Sequence, residues 1–244
     1  AVCITFNETS TGVQNPIEEL APIIKEAGAL VLVDAVSALA GSKIEIDKLD
    51  IDFCLASSQK CFALPPGLAF ASVSEQALEK AITVEGRGYY FDIVDLAKMY
   101  DTNQTPYTPA ISLMFALKER LSQMLAEGME ARFNRHIKLK EITTAWAKEN
   151  GFELFADQKY ASNTITCVTN TKNIDMKTVK AKMLEKGFAI DAGYGKLNAK
   201  LNEEGKPTTF RIPHMGDLTI EELNEFLEVL KTTMDEVGEL KWKY

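Results

Sequence analysis

Three short polar clusters each follow an apolar run, and each carries a side chain able to do chemistry. Asn7-Glu8-Thr9-Ser10-Thr11-Gly12 follows Val2–Phe6, Asp34 follows Ala29–Val33, and Ser57-Ser58-Gln59-Lys60 follows Asp52–Ala56. Taken one at a time they say little. An aspartate after an apolar strand is commonly a turn former or helix N-cap, a loop lysine is commonly a solvated charge, and a run of Asn, Thr, Ser and Gly is commonly a turn. Together they are more specific. A carboxylate held against a pyridinium nitrogen keeps that ring protonated and electron-withdrawing, and a lysine amine at the other end of the ring can form a Schiff base and later carry protons. Lys60 sits near Phe62, Leu64, Pro65 and Pro66, apolar surroundings that favour the neutral, nucleophilic amine. These are the components of a pyridoxal phosphate site.

Such groups need a scaffold that brings strand ends together. Val2–Phe6 reads as a strand, Asn15-Pro16 opens a helix through Ile17, Leu20, Ile23 and Ile24, and Gly28 closes it. Ala29–Val33 is a continuously apolar strand of the kind buried on both faces, and Asp52–Ala56 and Leu68–Val73 are further strands. This alternation predicts an α/β fold with a mostly parallel sheet, in which ligands gather at the carboxyl ends of the strands. Residues 74–101 read as short helices around Gly86-Arg87-Gly88, 105–109 as a rigid irregular segment, and 110–150 as helix broken near Gly128. The pattern then changes. Strands over 164–168, 188–190 and 209–212, a helix over 175–185 capped by Gly187, and a helix over 219–237 opened by the capping box Thr219-Ile220-Glu221-Glu222 predict a smaller α+β domain. The expected division is 1–150 for the large domain with its connecting helices and 151–244 for the small one.

The composition narrows the function classes. Apolar residues make up 46% and charged residues 25% of 244, as in an ordinary globular protein. Lys plus Arg (27) minus Asp plus Glu (35) gives −8, a poor balance for binding nucleic acid or anionic membrane. The longest aliphatic run, Ala29–Val33, falls far short of the roughly twenty residues that span a bilayer. Four cysteines without a C-x-x-C pair and only two histidines predict no metal cluster and reduced thiols in a cytoplasmic protein.

Taken in order, Asn7–Gly12, Val31-Leu32-Val33-Asp34-Ala35-Val36-Ser37-Ala38-Leu39-Ala40-Gly41, Ser57–Gly67, Thr105-Pro106-Tyr107-Thr108-Pro109-Ala110-Ile111-Ser112 and Phe210-Arg211-Ile212-Pro213-His214-Met215-Gly216 resemble the class V aminotransferases, in particular their alanine–glyoxylate and serine–pyruvate branch. The resemblance implies the fold type I large domain of pyridoxal-phosphate transferases. It also implies a homodimer with shared active sites, and ping-pong transamination between alanine or serine and glyoxylate or pyruvate. Lys60 would carry the Schiff base, Asp34 would pair with the pyridine nitrogen, and Val36 would pack on the ring. Thr11 would bond near the ring's phenolic oxygen or the substrate, and Gln59 would bind a cofactor phosphate oxygen. Thr105 or Thr108 would reach the phosphate of a neighbouring subunit, and Arg211 would clamp the substrate carboxylate. Without the resemblance, Arg211 would read as a surface salt bridge and His214 as a local hydrogen-bonding residue.

Against that family the chain is expected to lack a segment before the first turn, and to differ in a longer, more charged stretch, Lys196–Lys206, read as a turn beside a flexible Gly193-Tyr194-Gly195 loop. Two other functions stay open on sequence grounds. One is a cysteine desulfurase or related lyase, disfavoured because Gln59 precedes Lys60 where those relatives carry His, and because Cys61 is locked to the lysine turn. The other is a non-catalytic fragment of an aminotransferase.

Overall fold

The computed structural model describes residues 1–240, with side chains described through residue 238. In chain order the strands are β1 (Val2–Thr5), β2 (Asn7–Glu8), β3 (Val13–Gln14), β4 (Val31–Asp34), β5 (Phe53–Ser57), β6 (Ala69–Val73), β7 (Glu153–Leu154), β8 (Ile165–Thr169) and β9 (Thr209–Pro213). The helices are α1 (Ile17–Glu26), α2 (Glu75–Ile82), α3 (Ile93–Asp101), α4 (Ile111–Glu127), α5 (Met129–Glu149), α6 (Met176–Glu185), α7 (Gly195–Glu203) and α8 (Ile220–Leu240). Among the described residues no helix is long and apolar enough to cross a membrane.

Two compact units form. The first gathers Ala1–Phe6, Pro16–Leu39 and Ile44–Ala126; the second gathers Asn7–Asn15, Ala40–Lys43 and the chain from Glu127 onward. These units divide differently from the expected cut at residue 150. Helix α5 places Leu139 and Ala147, both fully buried, in the second unit's core, and hydrophobic burial rather than sequence contiguity decides where a helix belongs.

In the first unit a four-stranded sheet has the order β1-β4-β5-β6. β1, β4 and β5 run parallel, with Thr5 opposite Asp34 and Asp34 opposite Leu55; β6 closes the edge antiparallel to β5. Val31 and Val33 are fully buried and pack with Phe6, Ile17, Ala21 and Cys54, whereas Leu32 is half-buried and Asp34 exposed. The continuous apolar run therefore resolves into an alternating strand, with its β-branched residues turned into the core against α1. Each fully buried valine contributes about 1.5–3 kcal/mol. The open ends of β4, β5 and α2 are tied by Asp52. Its buried carboxylate accepts from Lys25 Nζ (3.0 Å), Val31 N (2.8 Å) and Ser74 Oγ (2.9 Å). The network holds that carboxyl below the usual range: burial alone would raise it, and the hydrogen bonds from Val31, Lys25 and Ser74 outweigh burial.

In the second unit β7-β8-β9 form an antiparallel sheet, with a core built from α5, α6, α8 and the buried face of β8 and β9: Val168, Val179, Met183, Phe210, Ile212, Leu223 and Leu230. The capping box of α8 forms in both directions, Thr219 N donating to Glu222 Oε2 at 2.9 Å and Glu222 N to Thr219 Oγ1 at 3.2 Å. Two expectations are corrected. Residues 188–190 form no strand; beside them lies a single antiparallel bridge between Asp191 and Arg211. The stretch read as a long charged turn is α7. Its Asn198 side chain accepts from Thr209 N (2.8 Å) and donates to Thr209 O (2.9 Å), bonding to β9 as a neighbouring strand would.

Candidate active site

The parallel strands of the first unit deliver Asp34 and the Lys60 turn to the same edge of the sheet, since β4 and β5 are neighbours and both residues lie at or beyond their carboxyl ends. Asp34 is exposed. Its Oδ1 accepts from Val36 N at 2.9 Å, an Asx turn that fixes the carboxylate and sets half-buried Val36 beside it. Among the described residues no cation pairs with Asp34. Its charge acts instead on buried Cys54, whose thiol is pushed up to about 11 by burial first and by Asp34 second.

The turn after β5 is pinned from beneath. Ser58 is fully buried; its Oγ donates to Pro65 O (2.7 Å) and accepts from Leu68 N (3.3 Å). Leu64 N donates to Ser58 O and Ala63 N to Lys60 O, closing a compact loop in which Ala63 takes a positive φ of 52°. Cys61 and Phe62 are buried. Half-buried Lys60 is thus anchored on one side by Ser58 and on the other by two core residues. Its Nζ has no hydrogen-bond or ion-pair partner among the described residues, and Gln59 is exposed beside it. The Ser57 hydroxyl is buried without a partner among the described residues. Cys61 Sγ lies 3.8 Å from Ser37 O, fixed in the turn, which is the wrong place for a mobile nucleophilic thiol.

An amine and a carboxylate on one sheet edge, each without a counter-ion, and a buried hydroxyl without a partner are what a polar ring-bearing ligand with an aldehyde would require of its protein. The donor set suits pyridoxal phosphate. Among the described residues no group of three or more His, Cys, Asp or Glu is placed to hold a metal ion.

Thr105 and Thr108 lie in an irregular, largely exposed segment of the same unit. The Thr105 hydroxyl donates to Tyr107 O at 2.7 Å, and neither threonine bonds to Asp34, Gln59 or Lys60. Tyr107 organises the segment: its ring stacks on Tyr90 at 4.7 Å and its hydroxyl donates to Tyr89 O at 2.8 Å.

Thr11 and Arg211 belong to the second unit. Thr11 sits in the turn of the β2–β3 hairpin, its N and Oγ1 both directed at Glu8 O. Gly12 closes that turn at φ 68°; a Cβ there would come within 2.9 Å of Cys167 N, so both conformation and packing require glycine. Arg211 on β9 donates from Nη1 to Thr9 O at 3.1 Å, within the same hairpin turn. Its Nε and Nη2 donate to the two carboxylate oxygens of Asp191 at 3.1 and 2.8 Å. The salt bridge that a plain reading of Arg211 anticipates is therefore present, and Asp191 is its unforeseen partner. The signal that singled out Asp34, an acid closing an apolar run, was available at Phe188-Ala189-Ile190-Asp191 too. The Gly193 turn is not free: Gly193 N donates to Asp191 Oδ1 at 2.7 Å, and a Cβ at Gly193 would collide with Thr209 O. His214 is fully buried with Nε2 2.9 Å from Thr166 Oγ1, a structural position.

The sequence profile of class-V aminotransferases matches residues 1–226. The chain belongs to this family. It is 38% identical over 240 residues to an uncharacterised aminotransferase of Methanocaldococcus jannaschii, covering 98% of this chain and 60% of that protein. It is 34% identical to a serine–glyoxylate aminotransferase of Methylorubrum extorquens, covering 89% of this chain and 54% of the relative. The fold superposes on an alanine–glyoxylate aminotransferase from Nostoc with a TM-score of 0.85 at 26% identity, over 95% of this chain and 61% of that one. The α/β fold with its mostly parallel sheet is accordingly that of the fold type I aminotransferases. The chain spans 54–61% of the length of each of these relatives.

Proposed function

We propose that this class V aminotransferase carries out transamination between a small L-amino acid, alanine or serine, and a 2-oxo acid, glyoxylate or pyruvate, with pyridoxal phosphate bound at Lys60. The observation that carries the reading is the pair of unmatched groups at adjacent strand ends, the Lys60 amine and the Asp34 carboxylate. The named activities of the Methylorubrum and Nostoc relatives support glyoxylate as acceptor and serine or alanine as donor. When bound, pyridoxal phosphate supplies an aldehyde that condenses with amines and a ring that takes up electrons from the substrate's α-carbon.

The chain's own residues supply the rest. Asp34, held by the Val36 N–H, would pair with the ring nitrogen and favour a proton there. Lys60, gripped by Ser58 and by Cys61 and Phe62, would hold the cofactor through its amine, and that amine is the group placed to take up and return a proton. Val36 would pack on the ring, Gln59 and the Ser57 hydroxyl would offer donors to polar groups of the cofactor, Thr11 would bond to ring oxygen or substrate, and Arg211 would take the substrate carboxylate. Thr108, whose hydroxyl is not engaged locally as that of Thr105 is, is the better candidate for reaching the phosphate bound by a second copy in a cytoplasmic homodimer. The exposed aromatic rings of Tyr89, Phe91 and Tyr100, each about 80% accessible, support docking of such a copy beside that segment, since apolar patches of this kind are rarely left to solvent.

Borohydride reduction of the protein incubated with pyridoxal phosphate, followed by peptide mapping, tests the assignment. A stoichiometric label on Lys60 is expected. Label on a different lysine, or none, refutes it.

A further inference from the structure

Asp191 has no role in the proposed transamination, yet it is the residue most closely bound to Arg211; a role for it presupposes that Arg211 is the carboxylate-binding residue. A guanidinium carries five N–H donors. Nε and one N–H of Nη2 go to Asp191 at 3.1 and 2.8 Å, and one N–H of Nη1 goes to Thr9 O at 3.1 Å. One N–H remains on each terminal nitrogen. Asp191 is itself held: Oδ1 accepts from Gly193 N, and its carbonyl accepts from Arg211 N at 3.1 Å. The Tyr194 ring lies 5.9 Å from the guanidinium carbon. The arginine is thus fixed at one edge, at one tip and over one face, while its side chain is 15% accessible against 42% for Asp191.

We propose that Asp191 is a positioning residue for substrate recognition: by occupying the Nε/Nη2 edge of Arg211 it fixes the guanidinium plane and leaves the two terminal N–H groups to receive the carboxylate of the amino acid or 2-oxo acid. An arginine without that anchor would sample several rotamers and lose that freedom at each binding event. The pair also cancels most of the local charge, so the substrate carboxylate is bound by direction more than by net attraction and can leave after each half-reaction. Burial acts to raise the Asp191 carboxyl, but the Arg211 and Gly193 donors outweigh it and hold it below the usual range.

The alternative is that Asp191 stands in for the substrate and is displaced by it. Arginine-detected NMR on the purified protein separates the two, because the chain has only five arginines and pyruvate can serve as the probe. On the positioning reading, pyruvate shifts the terminal nitrogens of Arg211 and leaves its Nε–H resonance in place. Asp191→Asn, which puts an amide donor against the guanidinium, then weakens pyruvate binding about tenfold or more. It also raises KM for donor and acceptor alike with kcat changed far less, and Asp191→Glu recovers part of the loss. Movement of the Nε–H resonance on adding pyruvate, together with tighter pyruvate binding in Asp191→Asn, overturns the proposal in favour of displacement. Unchanged pyruvate affinity in Asp191→Asn, with Arg211 still responding, removes the positioning role alone. No response of Arg211 to pyruvate in the unaltered protein removes the carboxylate reading of Arg211 and this proposal with it.

Discussion

The second unit should lose stability in mildly acidic solution, well before its carboxylates titrate. The chain has two histidines, and both are fully buried in that unit. His136 Nδ1 meets Arg132 O at 2.8 Å and its Nε2 has no partner among the described residues; burial first, and then the Arg135 and Arg132 charges, push it down to about 4. His214 is pushed down to about 3, by burial first and by His136 second. Both start from 6.5 in the unfolded chain. Because the folded state cannot take up these protons, the stability from keeping the rings neutral is fully present above pH 6.5 and is lost as pH falls from there toward the folded values. At pH 5 the unfolded chain binds nearly two more protons than the folded one, so stability falls by about 2.5 kcal/mol per pH unit there, and by about 4 kcal/mol in all between pH 7.5 and 5. That is a large part of the total stability of an ordinary domain. Urea unfolding at a series of pH values, read against the imidazole C2–H resonances, measures both quantities. The resonances should stay at their neutral positions down to pH 5 while the unfolding midpoint drops steadily. An imidazole that titrates near 6.5 in the folded protein, or a midpoint unchanged between pH 7 and 5.5, refutes this linkage.

Other perturbations have sharper local readouts. Lys60→Ala should abolish turnover and borohydride labelling while moving the melting temperature little, because the amine it removes makes no bond in the fold; appreciable turnover would refute the assigned role. Asp52→Ala should cost about 3–5 kcal/mol in urea unfolding, since it strands the Val31 amide and breaks a buried ion pair, with the softening that Lys25 keeps Asp50 at 2.9 Å; a loss below about 1 kcal/mol would mean that water replaces the carboxylate. Gly12→Ala should destabilise the hairpin by about 1–3 kcal/mol through positive φ and the contact with Cys167, and an unchanged midpoint would show that the turn relaxes freely.

What could be read in advance and what could not divide along a physical line. The Asp34 and Lys60 positions were legible because each depends on a local rule: a short β-branched or apolar run makes a buried parallel strand, and the polar residue that ends it emerges at the ligand-binding edge. The capping box of α8 was legible for the same reason, since its partners are three residues apart. Residues 188–190 failed the same test in reverse. Phe188-Ala189-Ile190 is apolar and strand-like, yet these residues join no ladder, and Asp191 is the residue that bridges to β9. α7 packs through Asn198, which takes the Thr209 N–H and carbonyl that a neighbouring strand would take.

The same line explains why Arg211 could be singled out in the sequence while its pairing with Asp191 could not. Arg211 lies in a motif that can be recognised within seven residues, Phe210–Gly216, so its importance is visible without knowing what it touches. Asp191 pairs with a partner twenty residues away, across α7, whose helical character is masked by Asn198, Asn202 and the flanking Gly193, Gly195 and Gly205. Only after α7 folds, and Asn198 fastens it to β9, does the turn at Gly193 bring the Asp191 carboxylate against the guanidinium. A residue whose function is to aim another is defined by tertiary geometry from the outset. The measurement that separates positioning from displacement therefore reads the guanidinium itself, because the two readings part first at whether the Arg211 Nε–H keeps Asp191 when a carboxylate binds, and the affinity change in Asp191→Asn follows from that.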